Sequence, residues 1–236
     1  MKGQQLPLAV ALRETSSFAS FHPGPNTQAV QTLRGLLTPG ASLALLLHGP
    51  LGSGKTHLLQ ALVREAAELR ISHSYLPLAS AIADGPAALD GLEQLRLVCL
   101  DDLDSAPLDD AWTLALLRLL DGLRSRGGNL VLAARKPPSQ LHFGRPDLDT
   151  RISACASFGL RPLSDDDRAR LLTLRAHARG LHLSDEVAHY LLKRLARDVG
   201  SLLEAVDALD RASLSAQRRL TIPFVQAVLL RSEGAG

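Results

Sequence analysis

The chain has 236 residues, 46% of them hydrophobic and only 3% aromatic, so one large or two small domains can close around a core of Leu, Ala and Val. Its formal charge of +2, with no long basic run, is a weak footprint for nucleic acid, and no apolar stretch reaches the ~18 residues of a membrane span. Cys99 and Cys155 sit in separate apolar runs that read as buried strands, which argues against a disulfide framework and for a reducing compartment.

Residues 1–14 hold no lasting helical or strand period, and their apolar run from Leu6 to Leu12 is too short for a secretory leader. Gln4-Gln5-Leu6-Pro7-Leu8 reads as extended, because Pro7 disfavours helix at Leu6 and removes a donor. Such a peptide either docks Leu6 and Leu8 in a groove or is an unstructured start. Phe18 and Phe21 then precede a Pro23-Gly24-Pro25 turn, and Asn26 is placed to cap a helix running to about Leu37.

The strand Leu43 to Leu47 leads through His48 into Gly49-Pro50-Leu51-Gly52-Ser53-Gly54-Lys55-Thr56, a full G-x-x-x-x-G-K-[ST] pattern. Glycines let successive N–H groups turn inward on phosphate oxygens, and the helix that follows adds its positive end. Lys55 is a point charge for the β- and γ-phosphates of ADP or ATP, and the Thr56 hydroxyl is a ligand for Mg²⁺. A dinucleotide G-x-G-x-x-G fails, since His57 stands at its third glycine. The Phe21-His22 segment ahead of this strand either covers the nucleotide base or plugs the core.

Helical spacing runs from Lys55 to about Arg70, followed by a second strand from Ile71 to Leu78 and a loop with one short helix to Gln94. Leu95 to Leu100 is apolar on both faces, as parallel strands are, and delivers Asp101-Asp102-Leu103-Asp104 at its carboxyl end. Asp101 is placed to hold Mg²⁺ through water and Asp102 to orient or deprotonate an attacking water. An amphipathic helix from Asp109 to Arg126 ends at Gly127-Gly128, a fourth strand runs from Asn129 to Ala134, and Arg135-Lys136-Pro137-Pro138 breaks it. A short helix from Asp147 to Ile152 carries Arg151, and Cys155 to Leu160 is a fifth strand. From Ser164 the pattern turns all-helical: Ser164 opens one helix with Asp167 in a capping-box position, Ser184 caps a second, Gly200 to Gln217 forms a third and Ile222-Pro223 starts a fourth. No separate helix-turn-helix module follows, and residues 233–236 read as disordered.

Phosphate loop, acid-tipped strand, fourth strand, arginine before the fifth strand and helical tail together resemble the AAA+ class. Phe18 to Gly24, Pro137-Pro138, Leu163 to Asp167, Leu191 to Leu195, Asp210 to Ser213 and Leu220 to Val225 look like the Hda family of DnaA inactivators, over nearly the whole chain. The resemblance implies an α/β fold: a P-loop AAA+ domain with a five-stranded parallel sheet over 15–163, a small all-helical lid over 164–236, and a flexible clamp-binding peptide over 1–14. It implies a cytoplasmic, nucleotide-bound adaptor and negative regulator of replication initiation, with DnaA and the β sliding clamp of DNA polymerase III as partners. Gln4, Gln5, Leu6, Pro7 and Leu8 resemble the family's clamp-binding peptide, so DNA is met only through the clamp, no membrane is involved, and a homodimer is left open. Arg151, in Asp149-Thr150-Arg151-Ile152, matches the family's arginine finger, which acts on ATP held by DnaA and leaves inactive DnaA–ADP.

Three positions depart from the AAA+ pattern. Arg135 follows the fourth strand where the class usually has a small polar or acidic sensor. Gly200 stands where the lid usually offers an arginine, with Arg197 one turn earlier. Asp102 replaces the usual Glu. Binding of ATP or ADP with weak intrinsic turnover is the expectation. The competing reading is an autonomous DnaA-related ATPase such as a helicase loader, which predicts salt-sensitive affinity for single-stranded DNA; few aromatics and little basic clustering speak against it.

Overall fold

The computed structural model describes residues 16–105, 108–195, 199–216 and 220–233. The chain divides into two compact units, Met1–Pro162 and Leu163–Gly236. Gln4 to Leu8, Arg197 and residues 234–236 lie outside the described residues.

The first unit is built on five parallel strands: β1 (Ala44–His48), β2 (His73–Pro77), β3 (Leu97–Asp101), β4 (Asn129–Ala134) and β5 (Ala156–Gly159), in the order β2-β3-β4-β1-β5. Helices α1 (Thr27–Gly35) and α2 (Lys55–Glu68) pack on one face. α3 (Leu78–Ala81), α4 (Asp110–Arg126) and α5 (Pro146–Ser153) pack on the other. Successive β3 residues serve different layers: Val98 and Leu100 join the cluster with Trp112 and Leu119, while Leu97 and Cys99 join the one with Leu58 and Leu62. That two-sided burial is why β3 reads as a continuous apolar run. It also fixes the direction in which the sheet presents its loops, with the carboxyl ends of β1, β3 and β4 side by side.

Helix ends follow local chemistry. Asp109 accepts from the Trp112 amide at 2.9 Å to start α4, and Gly127 closes it at φ 70°. Three expectations need correction. Asn26 makes no side-chain cap on α1; it is buried and pairs with the main chain of Arg161, accepting from its N and donating to its O at 2.9 Å each. It therefore ties the segment before α1 to the end of β5. The second strand begins at His73 rather than Ile71, because Arg70 turns left-handed (φ 56°) and the Ile71 amide returns to Ala66 O at 2.9 Å, closing α2. The stretch after α3 holds three 3₁₀ turns rather than one helix alone.

The second unit is α6 (Asp165–His177), α7 (Asp185–Arg194), α8 (Val199–Ala216) and α9 (Ile222–Glu233) around Leu172, Leu191, Leu202, Leu209 and Val225. Ser164 accepts from the Asp167 amide at 3.1 Å, and its hydroxyl donates to the Asp167 carboxylate at 2.8 Å, where a capping box would have that carboxylate take the Ser164 amide. Ser184 caps α7 through the Val187 amide.

Candidate functional site

β1 ends at His48 and the chain turns through three left-handed or open glycines into α2. Gly49 stands at φ 152°, and a Cβ there would lie 2.5 Å from Leu160 O; Gly54 stands at φ 94°, where a Cβ would lie 2.7 Å from the Phe21 ring. Both positions need glycine for space as well as for conformation. The loop thus fits between β5 and the Phe21 segment. Leu51 at its tip is exposed, whereas Ser53 and Lys55 are buried.

Lys55 Nζ donates to Gly49 O at 2.7 Å, Pro50 O at 3.0 Å and Ser53 Oγ at 3.5 Å. The ammonium lies under its own loop, and burial pulls its pKa below the ordinary lysine value, opposed by Asp101 and Asp102. His48, just before the loop, is also held low, by burial and then by Lys55.

Asp101 closes β3 and is almost fully buried. Its Oδ2 accepts from Tyr75 Oη at 2.9 Å, its Oδ1 from the Asp102 amide at 2.9 Å, and Thr56 bonds it from the first turn of α2. Burial nevertheless holds its pKa above the usual carboxylate range. A buried acid beside a hydroxyl is a hard-oxygen pair, which suits Mg²⁺. Among the described residues no three His, Cys, Asp or Glu gather as a metal cage. Phosphate and water would therefore supply the remaining ligands, as they commonly do for Mg²⁺.

Asp102 adopts φ 57°, a left-handed conformation that Asp tolerates better than most residues. The turn is held by the Leu103 amide on Ala133 O at 2.8 Å and the Ser105 amide on Asp102 O at 3.0 Å. Asp104, the last of the acids after β3, has a role that its neighbours in sequence do not mark. It takes the amides of Arg135 and Lys136 at 3.0–3.1 Å, pinning the chain that leaves β4. Gly49 N meets Ala134 O at 3.3 Å, so Arg135 leaves β4 beside the loop, and its charge is felt at Lys55.

Phe21 tilts against His57 at 5.4 Å, and His57 Nε2 pairs with Ser17 O at 2.9 Å. Phe18 packs on the core and lies 5.6 Å from the Arg34 guanidinium. Phe18 therefore plugs the core, whereas Phe21, with half-buried His22 beside it, lies over the start of α2.

Arg151 is elsewhere. It sits in the last turn of α5, just before β5, whose first residue pairs with Leu45 near the amino end of β1. A cleft of about 290 Å³ beside it is lined by Leu43, Gly128 and Leu130, where β1 and β4 begin. The phosphate loop lies past the other end of β1, about 15 Å away at ~3.3 Å per residue, beyond the span of an arginine side chain. The Arg151 guanidinium forms a two-pronged pair with the Asp121 carboxylate of α4, and the two side chains are 40% and 48% exposed. Gly200 is the second residue of α8, in the other unit.

Residues 165–229 match the family model of the Hda lid domain. Among solved structures, the chain is similar to domain III of the replication initiation protein DnaA from Thermotoga maritima (TM-score 0.73, 18% identity, covering 94% of this chain and 98% of that one). It is also similar to AMPPCP-bound DnaA from Aquifex aeolicus (TM-score 0.70, 19% identity, 86% and 67%) and to DnaI (TM-score 0.54, 18% identity, 62% and 88%). The chain has the fold of DnaA domain III, and its residues 165–229 match the Hda lid model. In this AAA+ fold, Gly49–Thr56, Asp101 and Asp102 meet at the carboxyl end of the sheet, and Arg151 stands apart at the amino end. Among the described residues no helix is long and apolar enough to cross a membrane.

Proposed function

We propose that this protein is a cytoplasmic AAA+ adaptor that binds ATP or ADP with Mg²⁺ and lends Arg151 to the ATP site of DnaA. The observation that carries the reading is the separation of the two sites: a complete phosphate loop at one end of the sheet and a half-exposed arginine at the other, out of reach of its own loop. The Hda lid match and the nucleotide analogue on the similar Aquifex DnaA support it.

In the chain's own site, inward-facing amides and Lys55 take the phosphates, and Thr56 and Asp101 hold Mg²⁺, which neutralises phosphate charge. Asp102 is shorter than Glu and Arg135 brings a cation, not an acceptor, to the water side, so intrinsic hydrolysis is slow. At the partner, the Arg151 guanidinium gives up Asp121 and takes the oxygens of the transferred phosphoryl group. It offsets the negative charge spread over that group and its departing oxygen as the bond to ADP breaks and water adds. A finger of this kind is worth ~10³–10⁵ in rate. Gln4, Gln5, Leu6, Pro7 and Leu8 bring the protein to the DNA-loaded sliding clamp, a reading that rests on the sequence and its family resemblance.

The test is hydrolysis of DnaA-bound ATP with this protein and DNA-loaded clamp present together and each omitted in turn. Hydrolysis that needs both supports the reading. Fast turnover of ATP by this chain alone, with salt-sensitive binding of single-stranded DNA, would support the autonomous ATPase instead.

A further inference from the structure

A line of buried polar groups leads from the first described residue to the acid of β3. Ser16 Oγ donates to Gln60 Oε1 at 3.0 Å, Gln60 Nε2 to Tyr75 Oη at 3.5 Å, and Tyr75 Oη to Asp101 Oδ2 at 2.9 Å. The four residues come from four parts of the fold: the N-terminal segment, α2, β2 and β3. Every donor points toward the carboxylate, so each link polarises the next. Ser16 and Gln60 are buried, and the Tyr75 ring packs in the apolar layer with Cys99 and Leu59. Apolar residues would fill that layer without the cost of desolvating a hydroxyl and an amide. The line also lies beneath the phosphate loop, because Gln60 and Thr56 share α2.

The same segment is fastened a second time. Ser17 O and Ser20 Oγ meet His57 Nε2 at 2.9 and 3.4 Å, and the Phe21 ring covers Gly54. Residues 16–21 thus grip the first turns of α2 on one side and reach Asp101 through Gln60 and Tyr75 on the other.

We propose that Tyr75 is a positioning residue for the metal-holding carboxylate of Asp101, and that Gln60 and Ser16 extend its action to the N-terminal segment, so that Mg²⁺–nucleotide binding and docking of residues 16–21 reinforce each other. The proposal rests on the reading of Gly49–Thr56 and Asp101 as an Mg²⁺–nucleotide site. Tyr75 fixes Oδ2 and the Asp102 amide fixes Oδ1, so with Thr56 they set the carboxylate plane before a cation meets it. With the segment docked, Ser16 holds the Gln60 amide and Gln60 holds the Tyr75 hydroxyl. With it undocked, Gln60 loses the Ser16 hydroxyl that fixes its amide oxygen, and its hold on the Tyr75 hydroxyl weakens. Linkage makes the effect mutual: whatever the docked segment adds to Mg²⁺–nucleotide affinity, Mg²⁺–nucleotide adds to docking.

The experiment is calorimetric titration of ATP and ADP with and without Mg²⁺, on the full chain and on Tyr75→Phe, Gln60→Met and Ser16→Ala. Hydrogen exchange of residues 16–21 is followed on the same samples. Tyr75→Phe keeps the ring and removes only the hydroxyl. It is expected to shrink the Mg²⁺-dependent gain in affinity about fivefold, within the usual range of such coupling, and to leave Mg²⁺-free affinity within twofold. Ser16→Ala, three links from the metal, is expected to shrink the gain about twofold. MgATP is expected to slow exchange of residues 16–21 in the wild type and much less in Gln60→Met. A full Mg²⁺ gain in Tyr75→Phe, or exchange of residues 16–21 indifferent to MgATP in the wild type, overturns the inference alone. A wild type that binds no nucleotide overturns the underlying site and the inference with it.

Discussion

The two ends of the sheet treat charge in opposite ways. At the carboxyl end, Lys55 and Asp101 are buried, and each is held by three of the chain's own groups. At the amino end, Arg151 is half-exposed and held by a single half-exposed acid, Asp121. An exposed ion pair contributes only ~0–1 kcal/mol, so exchanging Asp121 for another acceptor costs little. Removing a partner from a buried, hydrogen-bonded charge costs ~3–5 kcal/mol. The proposed function builds on that difference: the buried end is read as the site of the chain's own nucleotide, and the half-exposed arginine as the group offered to a neighbour.

Substitutions can break that contrast. The largest effect within the chain is expected at the buried end. Lys55→Ala should weaken ATP and ADP about a hundredfold, as loss of a charge-assisted contact worth ~3 kcal/mol, read by fluorescent-nucleotide titration. Arg151→Ala in the same assay should leave nucleotide affinity within twofold. If it does not, the two ends are not separate. Gly54→Ala should cost ~1–2 kcal/mol of stability for its left-handed backbone alone, and should also displace the Phe21 ring, read as a lowered denaturant midpoint. Asp121→Asn should change stability by less than ~1 kcal/mol and raise stimulation of DnaA hydrolysis by at most about fivefold, since it frees Arg151 from a weak competitor. A fall instead would show that Asp121 aims the guanidinium. The smallest effect concerns the thiols. Burial pushes Cys155, beside Arg151, up to about 11, so its alkylation should still be climbing at pH ~10, where an ordinary thiol, with pKa ~8.5, has levelled off. Cys99, fully enclosed in the sheet, should react later still.

What was legible in the sequence was local. The phosphate loop, the apolar run of β3 with its terminal acids, the caps at Ser164 and Ser184 and the stop at Gly127 each depend on residues within a few positions, where spacing carries the physics. The misread and missed features pair residues far apart. Asn26 looked like a cap because its neighbours fit one, yet its amide bonds the main chain of Arg161, 135 positions on. Asp104 looked like the tail of an acidic run, yet it clamps Arg135 and Lys136 across the sheet. The line from Ser16 to Asp101 has no sequence pattern, since its members are single polar residues inside unrelated elements. Ile71 was misplaced because a closing turn after α2 and the start of a strand both want one apolar residue.

The central claim is that Arg151 completes an active site on another molecule. It is tested most directly by single-turnover hydrolysis of DnaA-bound ATP, with DNA-loaded clamp, comparing wild type, Arg151→Lys and Arg151→Ala. The account predicts that Arg151→Ala loses at least ~10³ of the stimulation and that Arg151→Lys restores little of it, because an ammonium lacks the planar fork. Undiminished hydrolysis by DnaA with Arg151→Ala would contradict it.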